Sequence, residues 1–148
     1  MKIRVLLVDD EADFLETLAE RLVIRNYDVT TSLSGEDALE KVRGYNFDVV
    51  VLDVLMPGID GIEALREIKN IKPLTEVIML TGHATVETAI EGMKLGAYDY
   101  LMKPCETQDL VMKINKAHER KAEHEERIRE AKVSKLETSP MSVLINED

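Results

Sequence analysis

Short apolar runs alternate along the chain with longer stretches in which apolar residues recur every three or four positions. The runs are rich in valine, isoleucine and leucine and end at turn residues, which indicates buried strands. The longer stretches have the period of helices with one apolar face. The predicted strands cover residues 3–8, 28–32, 47–52, 77–80 and 98–102. Strands that alternate with helices favour βαβ units, and hence a parallel sheet with helices on both faces.

The helices are predicted from their apolar faces and from residues that favour helix ends. The first begins near Asp10 or Glu11 and ends near Asn26, and its apolar face comprises Phe14, Leu15, Leu18, Leu22 and Val23. The next two begin after Ser34 and at Asp60, which are suitable N-caps. The fourth covers residues 85–95, with an apolar face of Val86, Ala89, Ile90 and Met93. The fifth begins at Glu106 or Thr107 and presents Leu110, Val111, Ile114 and Ala117.

The composition changes after Ala117. Residues 118–137 are mostly charged, and opposite charges four positions apart, such as Glu123 and Arg127, favour a helix that continues into solvent. Heptad spacing continues to Ala131, but polar residues occupy two of the seven positions, so a solvated helix is favoured over a coiled coil. We expect a folded domain over residues 1–120. We expect residues 121–148 to form a charged helical extension with a break at residues 138–140, eight disordered residues and no output domain.

Length and charge limit the class of protein. The chain has 148 residues, which fits one domain, and a formal net charge of −10, which argues against binding nucleic acid or an anionic membrane. The only cysteine, Cys105, allows no disulfide within the chain, so a reducing compartment is expected. No apolar run suits a signal peptide or approaches the ~20 residues needed to span a bilayer. A cytoplasmic location is therefore expected.

Polar side chains follow four of the predicted strands. Asp9 and Asp10 follow the first strand, Asp53 the third, Thr81 the fourth and Lys103 the fifth. The carboxyl ends of parallel strands meet at one edge of the sheet, where ligands bind in open α/β folds. Three carboxylates would repel one another there, and Mg²⁺ would relieve the repulsion. With a lysine and a hydroxyl to hold an anion, the group predicts a phosphoryl-transfer site.

Each of these residues alone has a structural explanation. Asp9 and Asp10 could cap the first helix, Thr81 could cap the fourth, and Lys103 could form an ordinary ion pair. Asp53 before a Pro-Gly turn is, by itself, more typical of a strand end than of a functional site. The joint pattern is more specific, because each polar group follows the end of its own strand.

These residues, with Met-Pro-Gly-Ile-Asp-Gly at residues 56–61, Gly82 after Thr81 and Pro104 after Lys103, resemble the response-regulator receiver domains of bacterial two-component signalling. The resemblance covers about residues 1–120. It implies a flavodoxin-like, doubly wound, five-stranded parallel sheet in the order 2-1-3-4-5. It also implies a signalling domain rather than an enzyme, because receivers catalyse only their own phosphorylation and dephosphorylation.

The resemblance implies a role for each acidic residue. Asp53 is the phosphoacceptor, which takes a phosphoryl group from a phosphohistidine on a sensor histidine kinase or a phosphotransfer protein. Asp10 and Asp53 bind Mg²⁺ directly, together with the backbone carbonyl of Leu55. Asp9 acts on the ion largely through water.

The resemblance also implies how the phosphoryl group is held and sensed. Lys103 pairs with the phosphoryl oxygens, Thr81 donates its hydroxyl to one of them, and the bond from Lys103 to Pro104 is expected to be cis. On phosphorylation Thr81 moves toward the phosphoryl group and Tyr100 turns inward, although Tyr100 could instead be a plain packing residue. The switch changes the surface of helix 4, strand 5 and helix 5, which a downstream protein partner or a second copy would bind.

Two further positions tune the lifetime of the phosphoryl group in this family, here Leu55 and His83. Both side chains are larger than the smallest alternatives, and we expect them to shield the acyl phosphate from water.

Three other interpretations stay open. The chain could be the receiver part of a longer DNA-binding transcription regulator, although no nucleic acid contact is expected within this chain. It could also be a receiver-like binding module that is not phosphorylated. A metal-dependent phosphohydrolase using Asp53 is less favoured, because such enzymes usually carry a second aspartate where Leu55 stands. A homodimer through the extended last helix is a further expectation.

Overall fold

The computed structural model describes residues 1–138, and side chains to residue 136. The prediction of disorder in the last eight residues lies outside the described part. Each predicted strand is confirmed to within two residues at either end. The elements in chain order are β1 Arg4–Val8, α1 Ala12–Ile24, β2 Asp28–Ser32, α2 Gly35–Gly44, β3 Val49–Leu52, α3 Gly61–Ile71, β4 Glu76–Thr81, α4 Val86–Lys94, β5 Asp99–Met102 and α5 Thr107–Thr138.

The five strands form one parallel sheet in the order β2-β1-β3-β4-β5. The predicted fold class, a flavodoxin-like doubly wound sheet, is therefore confirmed. Two details of the register matter for the site. Val8 at the end of β1 pairs with Leu52 at the end of β3, and Thr81 at the end of β4 pairs with Met102 at the end of β5. The residues that follow these strands therefore meet at one edge of the sheet.

Two apolar layers cover the sheet. On one face, α2 and α3 pack against the side chains of β1, β3 and β4 that point their way; on the other, α1 and α5 pack against the alternate side chains of the same strands. The alternation has a simple cause, since successive strand side chains point to opposite faces. Burial of both faces explains why β3 is apolar throughout.

Two helix predictions need correction. In α1 the buried stripe is Leu15, Leu18 and Leu22, whereas Val23 is 56% exposed because it lies one position, about 100°, around the helix from Leu22. In α4 the buried residue is a glycine, Gly92, and the predicted apolar face is turned to solvent. Its exposed members are Val86, Ile90 and Met93.

The absence of a side chain at Gly92 explains how α4 approaches the sheet. A Cβ atom added there would lie 3.6 Å from a ring carbon of Tyr100 on β5, so the ring packs against the helix at this point. At Gly92 the helix therefore adjoins the Tyr100 ring together with Ile62 of α3 and Met79 of β4, and its apolar stripe is uncovered in the described part of the chain.

Buried ion pairs fix α5 at the opposite edge of the sheet. Asp48, just before β3, accepts hydrogen bonds from the backbone N–H and side chain of Arg4 and lies 3.3 Å from the Lys121 ammonium. Glu76, at the start of β4, accepts two hydrogen bonds from the guanidinium of Arg120. Both carboxylates are buried, and each is compensated by positive charge, as burial requires.

Beyond these ion pairs α5 continues to Thr138, and the side chains of residues 126–136 are exposed. None of the helices in residues 1–138 has both the length and the apolar composition that crossing a membrane would demand.

Candidate functional site

Three carboxylates meet where β1 and β3 end. One oxygen from each of Asp9, Asp10 and Asp53 lies within 4.8 Å of the others. The backbone produces this arrangement, because the N–H of Asp53 donates to the carbonyl of Val8 at 3.1 Å and holds the two strand ends together. Asp9 and Asp53 are buried and Asp10 is exposed. Burial raises the pKa of Asp9, although hydrogen bonds from Lys103 and from the Glu11 backbone act in the opposite direction.

The ammonium of Lys103 faces this cluster from the end of β5. Its Nζ atom lies 2.6 Å from Asp9 Oδ2, 3.0 Å from Glu11 Oε1 and 3.7 Å from Asp53 Oδ2. Partial burial lowers the pKa of Lys103, but the hydrogen bonds to Asp9 and Glu11 outweigh it and the pKa is raised overall. The lysine is thus held as a cation. The Lys103–Pro104 peptide bond is cis.

Asp53 has one oxygen directed at the lysine and one without a partner. Oδ1 is buried and accepts no hydrogen bond from the described residues. A buried carboxylate oxygen without a hydrogen bond lowers the stability of the fold. Such an unpaired oxygen is typical of a position that binds a ligand. The backbone at Gly61 packs tightly against the backbone of Asp53, since a Cβ atom on Gly61 would lie 2.0 Å from the Asp53 carbonyl oxygen. Only glycine fits at position 61.

Thr81 and His83 lie at the end of β4. The Thr81 side chain is fully buried, and its hydroxyl accepts a hydrogen bond of 3.0 Å from the backbone N–H of His83. The exposed side chains of His83 and Leu55 line an open cavity together with Asp10 and Asp53. They stand where a group attached to Asp53 would meet solvent.

Tyr100 lies away from the carboxylates, against α4. Its hydroxyl is 2.7 Å from the Thr88 hydroxyl, and its ring packs at the margin of the layer formed by α2 and α3. The structure therefore brings together Asp9, Asp10, Asp53 and Lys103, with Thr81, Leu55 and His83 around them, and places Tyr100 on the adjoining surface.

Two residues of the site are not predicted by the sequence pattern. The pattern indicates a helix cap at Glu11 and an apolar face at Phe14, yet both residues lie against Lys103. The Lys103 ammonium is 4.0 Å from the centroid of the Phe14 ring. Their position in the sequence does indicate the site, since the first turn of a helix that follows the aspartate pair must adjoin the same edge of the sheet.

The comparisons with known proteins agree with this geometry. The model of the response regulator receiver domain family matches residues 5–115. The transcriptional regulatory protein ZraR of Escherichia coli (strain K12) is 42% identical over 115 residues, which make up 78% of this chain and 26% of that protein. The chain therefore spans about a quarter of the length of that relative.

Two solved structures give the same result. A receiver domain from Clostridium thermocellum is 41% identical, with a TM-score of 0.76 over 80% of this chain and 95% of that one. A CheY-like receiver domain protein from Methanospirillum hungatei has a TM-score of 0.81 at 27% identity, over 84% of this chain and 99% of that one. The chain belongs to the response regulator receiver domain family, the signalling domains of two-component systems.

Proposed function

We propose that this receiver domain accepts a phosphoryl group on Asp53 from a phosphohistidine of a sensor histidine kinase or phosphotransfer protein. The observation that carries the proposal is the surroundings of Asp53, which is buried, adjoins two further carboxylates and a lysine, and keeps one oxygen without a partner. In the reaction a carboxylate oxygen of Asp53 forms a bond to phosphorus. The phosphorus–nitrogen bond of the phosphohistidine breaks, the imidazole keeps the electron pair, and an acyl phosphate results.

The neighbouring residues suit this reaction. Lys103 already lies 3.7 Å from Asp53, so its ammonium is placed to hold a phosphoryl oxygen after a small movement. The Thr81 hydroxyl lies at the end of the neighbouring strand and would donate to another phosphoryl oxygen. Leu55 and His83 would cover the product from the solvent side. The roles assigned to Lys103, Thr81, Leu55 and His83 are parts of the same proposal.

The carboxylate cluster fits Mg²⁺. Three oxygens within 4.8 Å of one another, one exposed carboxylate open to water and an unpartnered buried oxygen on Asp53 make a set of hard oxygen ligands. Asp10 and Asp53 would bind the ion directly with the Leu55 carbonyl, and Asp9 through water. When bound, the ion would neutralise the carboxylates and the charge on the phosphoryl oxygens.

Intact-mass spectrometry tests the proposal. Incubation with acetyl phosphate and Mg²⁺ should add one phosphoryl group to the wild-type chain and none to Asp53→Asn. Asp13→Asn is the matched control, since it removes one negative charge from the exposed first turn of α1 and should leave acceptance unchanged. A phosphorylated Asp53→Asn chain would contradict the assignment, and an unmodified wild-type chain would favour a binding module that is not phosphorylated.

We infer that the apolar stripe of α4 is the surface through which the switch acts. Val86, Ile90 and Met93 are exposed side by side on a helix that contacts Tyr100, and Met102 on β5 is also exposed. A downstream protein partner or a second copy would cover this surface of α4, β5 and α5. Exposed apolar area of this kind is typical of an interaction site.

The second candidate is the receiver part of a longer transcription regulator. It is favoured by one observation, that the chain spans about a quarter of the length of its relative ZraR. In this interpretation residues 1–120 are the phosphoacceptor domain and the exposed part of α5 connects it to an output domain. Phosphorylation of Asp53 is common to both candidates, so the mass experiment tests both.

A further inference from the structure

The N-cap residue of α1 and the first turn of that helix enclose the Lys103 ammonium on two sides. Glu11 and Phe14 lie three positions apart and therefore share one face of the helix end. Glu11 accepts a hydrogen bond from Nζ at 3.0 Å, and the ring of Phe14 lies with its centroid 4.0 Å from the same atom. Asp9, at 2.6 Å, and Asp53, at 3.7 Å, occupy the side toward the sheet. The ring thus faces the ammonium at a position where no oxygen binds it among the described residues.

The Phe14 ring is itself held in place. It is half-buried and packs against the layer formed by α1 and α5 on the sheet. An aromatic face attracts a cation within about 6 Å, and the attraction grows when the cation is removed from water. The Lys103 side chain is only 14% exposed, so its ammonium is largely removed from water and the attraction to the Phe14 ring is strengthened.

We propose that Phe14 is a positioning residue for phosphoryl transfer, which keeps the Lys103 ammonium directed toward Asp53. This inference rests on the proposed function of Asp53. Lysine has a long flexible side chain, and Glu11 is exposed and can draw the ammonium toward solvent. The ring opposes that movement without competing for the N–H groups that the phosphoryl oxygens need. An apolar residue without an aromatic face would fill the space but would not hold the charge.

The test uses Phe14→Leu, which keeps an apolar side chain, and Phe14→Tyr, which keeps an aromatic face. The rate of phosphoryl incorporation from acetyl phosphate with Mg²⁺ is measured by intact mass. We expect Phe14→Leu to be slower than the wild type by roughly threefold to tenfold, and Phe14→Tyr to match it. If Phe14→Leu fails to fold by circular dichroism, Phe14→Met takes its place.

A double-mutant cycle separates positioning from packing. In a Lys103→Met background the ammonium is absent, so Phe14→Leu should cause no further loss of rate. An equal loss in both backgrounds would show that the ring only supports the fold, and an unchanged rate for Phe14→Leu with Lys103 present would also overturn the inference. A wild-type chain that takes no phosphoryl group would instead refute the proposed function, so the two failures are distinct.

Discussion

The hydroxyl of Tyr100 on β5 lies 2.7 Å from the hydroxyl of Thr88 in the first turn of α4. Thr88 also accepts a hydrogen bond from the backbone N–H of Thr85 and donates one to the Thr85 carbonyl, while the Thr85 side chain caps the Thr88 N–H. The proposed switch residue is therefore tied to the capping box that starts α4. Any rotation that moves the Tyr100 hydroxyl away breaks this bond and loosens the first turn.

Thr88→Val should make the first turn of α4 open more readily. Valine keeps the shape of the side chain but lacks the hydroxyl that Thr85 and Tyr100 use. We expect the free energy of local unfolding of this turn to fall by about 1 kcal/mol, because that is the usual contribution of a helix cap or a hydrogen bond of this kind. Amide hydrogen exchange in α4, compared with exchange in α3 of the same sample, measures it.

Thr88→Ser and Tyr100→Phe are the controls. Serine retains the hydroxyl and should exchange as the wild type does. Tyr100→Phe removes only the bond between the two side chains, so it should cause part of the Thr88→Val effect and add nothing to it in the double variant. Full additivity would mean that the hydrogen bond does not link the two residues.

The sequence predicted the sheet well because its strands are apolar runs that end at turn residues, and because the polar groups after four of the five strands mark the same edge. It predicted α4 less well. The apolar spacing of Val86, Ile90 and Met93 is correct for a helix face, but spacing does not say which face meets the sheet. That depends on Gly92 and on the Tyr100 ring beside it, a contact between two elements. The contact of Phe14 with Lys103 was missed for the same reason, since 89 positions separate them.

The phosphoryl lifetime should depend on Leu55 and His83. Both side chains are exposed and line the cavity that opens onto Asp53, so they limit the approach of water to an acyl phosphate. The double variant Leu55→Ala, His83→Ala should shorten the half-life several-fold, measured by the loss of added mass after removal of acetyl phosphate. Ile128→Ala, on the exposed part of α5, is the control for a lost surface side chain. An unchanged half-life would dismiss the shielding role.

Ile90→Glu should prevent self-association if a second copy covers α4. The substitution places a charge in the centre of the exposed stripe, where burial against a partner would be costly. We expect light scattering to show a dimer for the phosphorylated wild type and a monomer for Ile90→Glu. Val23→Glu makes the same change on the exposed part of α1 and should still dimerise. If the phosphorylated wild type stays monomeric, a second copy does not cover this surface, and its partner is a different protein.

Asp53→Asn should stabilise the fold when Mg²⁺ is chelated. It removes one of three clustered negative charges, and Lys103 keeps its contacts of 2.6 Å with Asp9 and 3.0 Å with Glu11. The free energy of unfolding in urea should rise, because the variant has less repulsion among the clustered carboxylates. Adding Mg²⁺ should stabilise the wild type and have a smaller effect on the variant. A variant less stable than the wild type without Mg²⁺ would show that Asp53 is a structural ion-pair partner.

Asp48 should make stability depend on pH at the acidic end. Burial raises the pKa of its carboxyl, but hydrogen bonds from Arg4 and the charges of Arg4 and Lys121 outweigh burial, and the pKa is lowered overall. The unfolded chain, in which an aspartate has a pKa of about 3.9, therefore binds more protons than the folded chain as the pH falls. The stabilisation is complete above that value and is lost as the pH falls through the lower pKa of the folded state.

Asp48→Asn isolates this contribution, since asparagine cannot ionise. At pH 7 the variant should be less stable than the wild type by about 1.5–3 kcal/mol, the usual contribution of hydrogen bonds to charged groups. Urea unfolding from pH 7 to pH 3 should show the difference shrinking below about pH 4, where the Asp48 carboxyl takes up a proton in the unfolded wild type while it stays ionised in the folded state. Asp13→Asn, an exposed charge on α1, serves as the control. A difference that stayed constant down to pH 3 would mean that the negative charge of Asp48 does not contribute to the free energy of unfolding. Arg4 and Lys121 would then stabilise the fold no more than they would beside a neutral side chain.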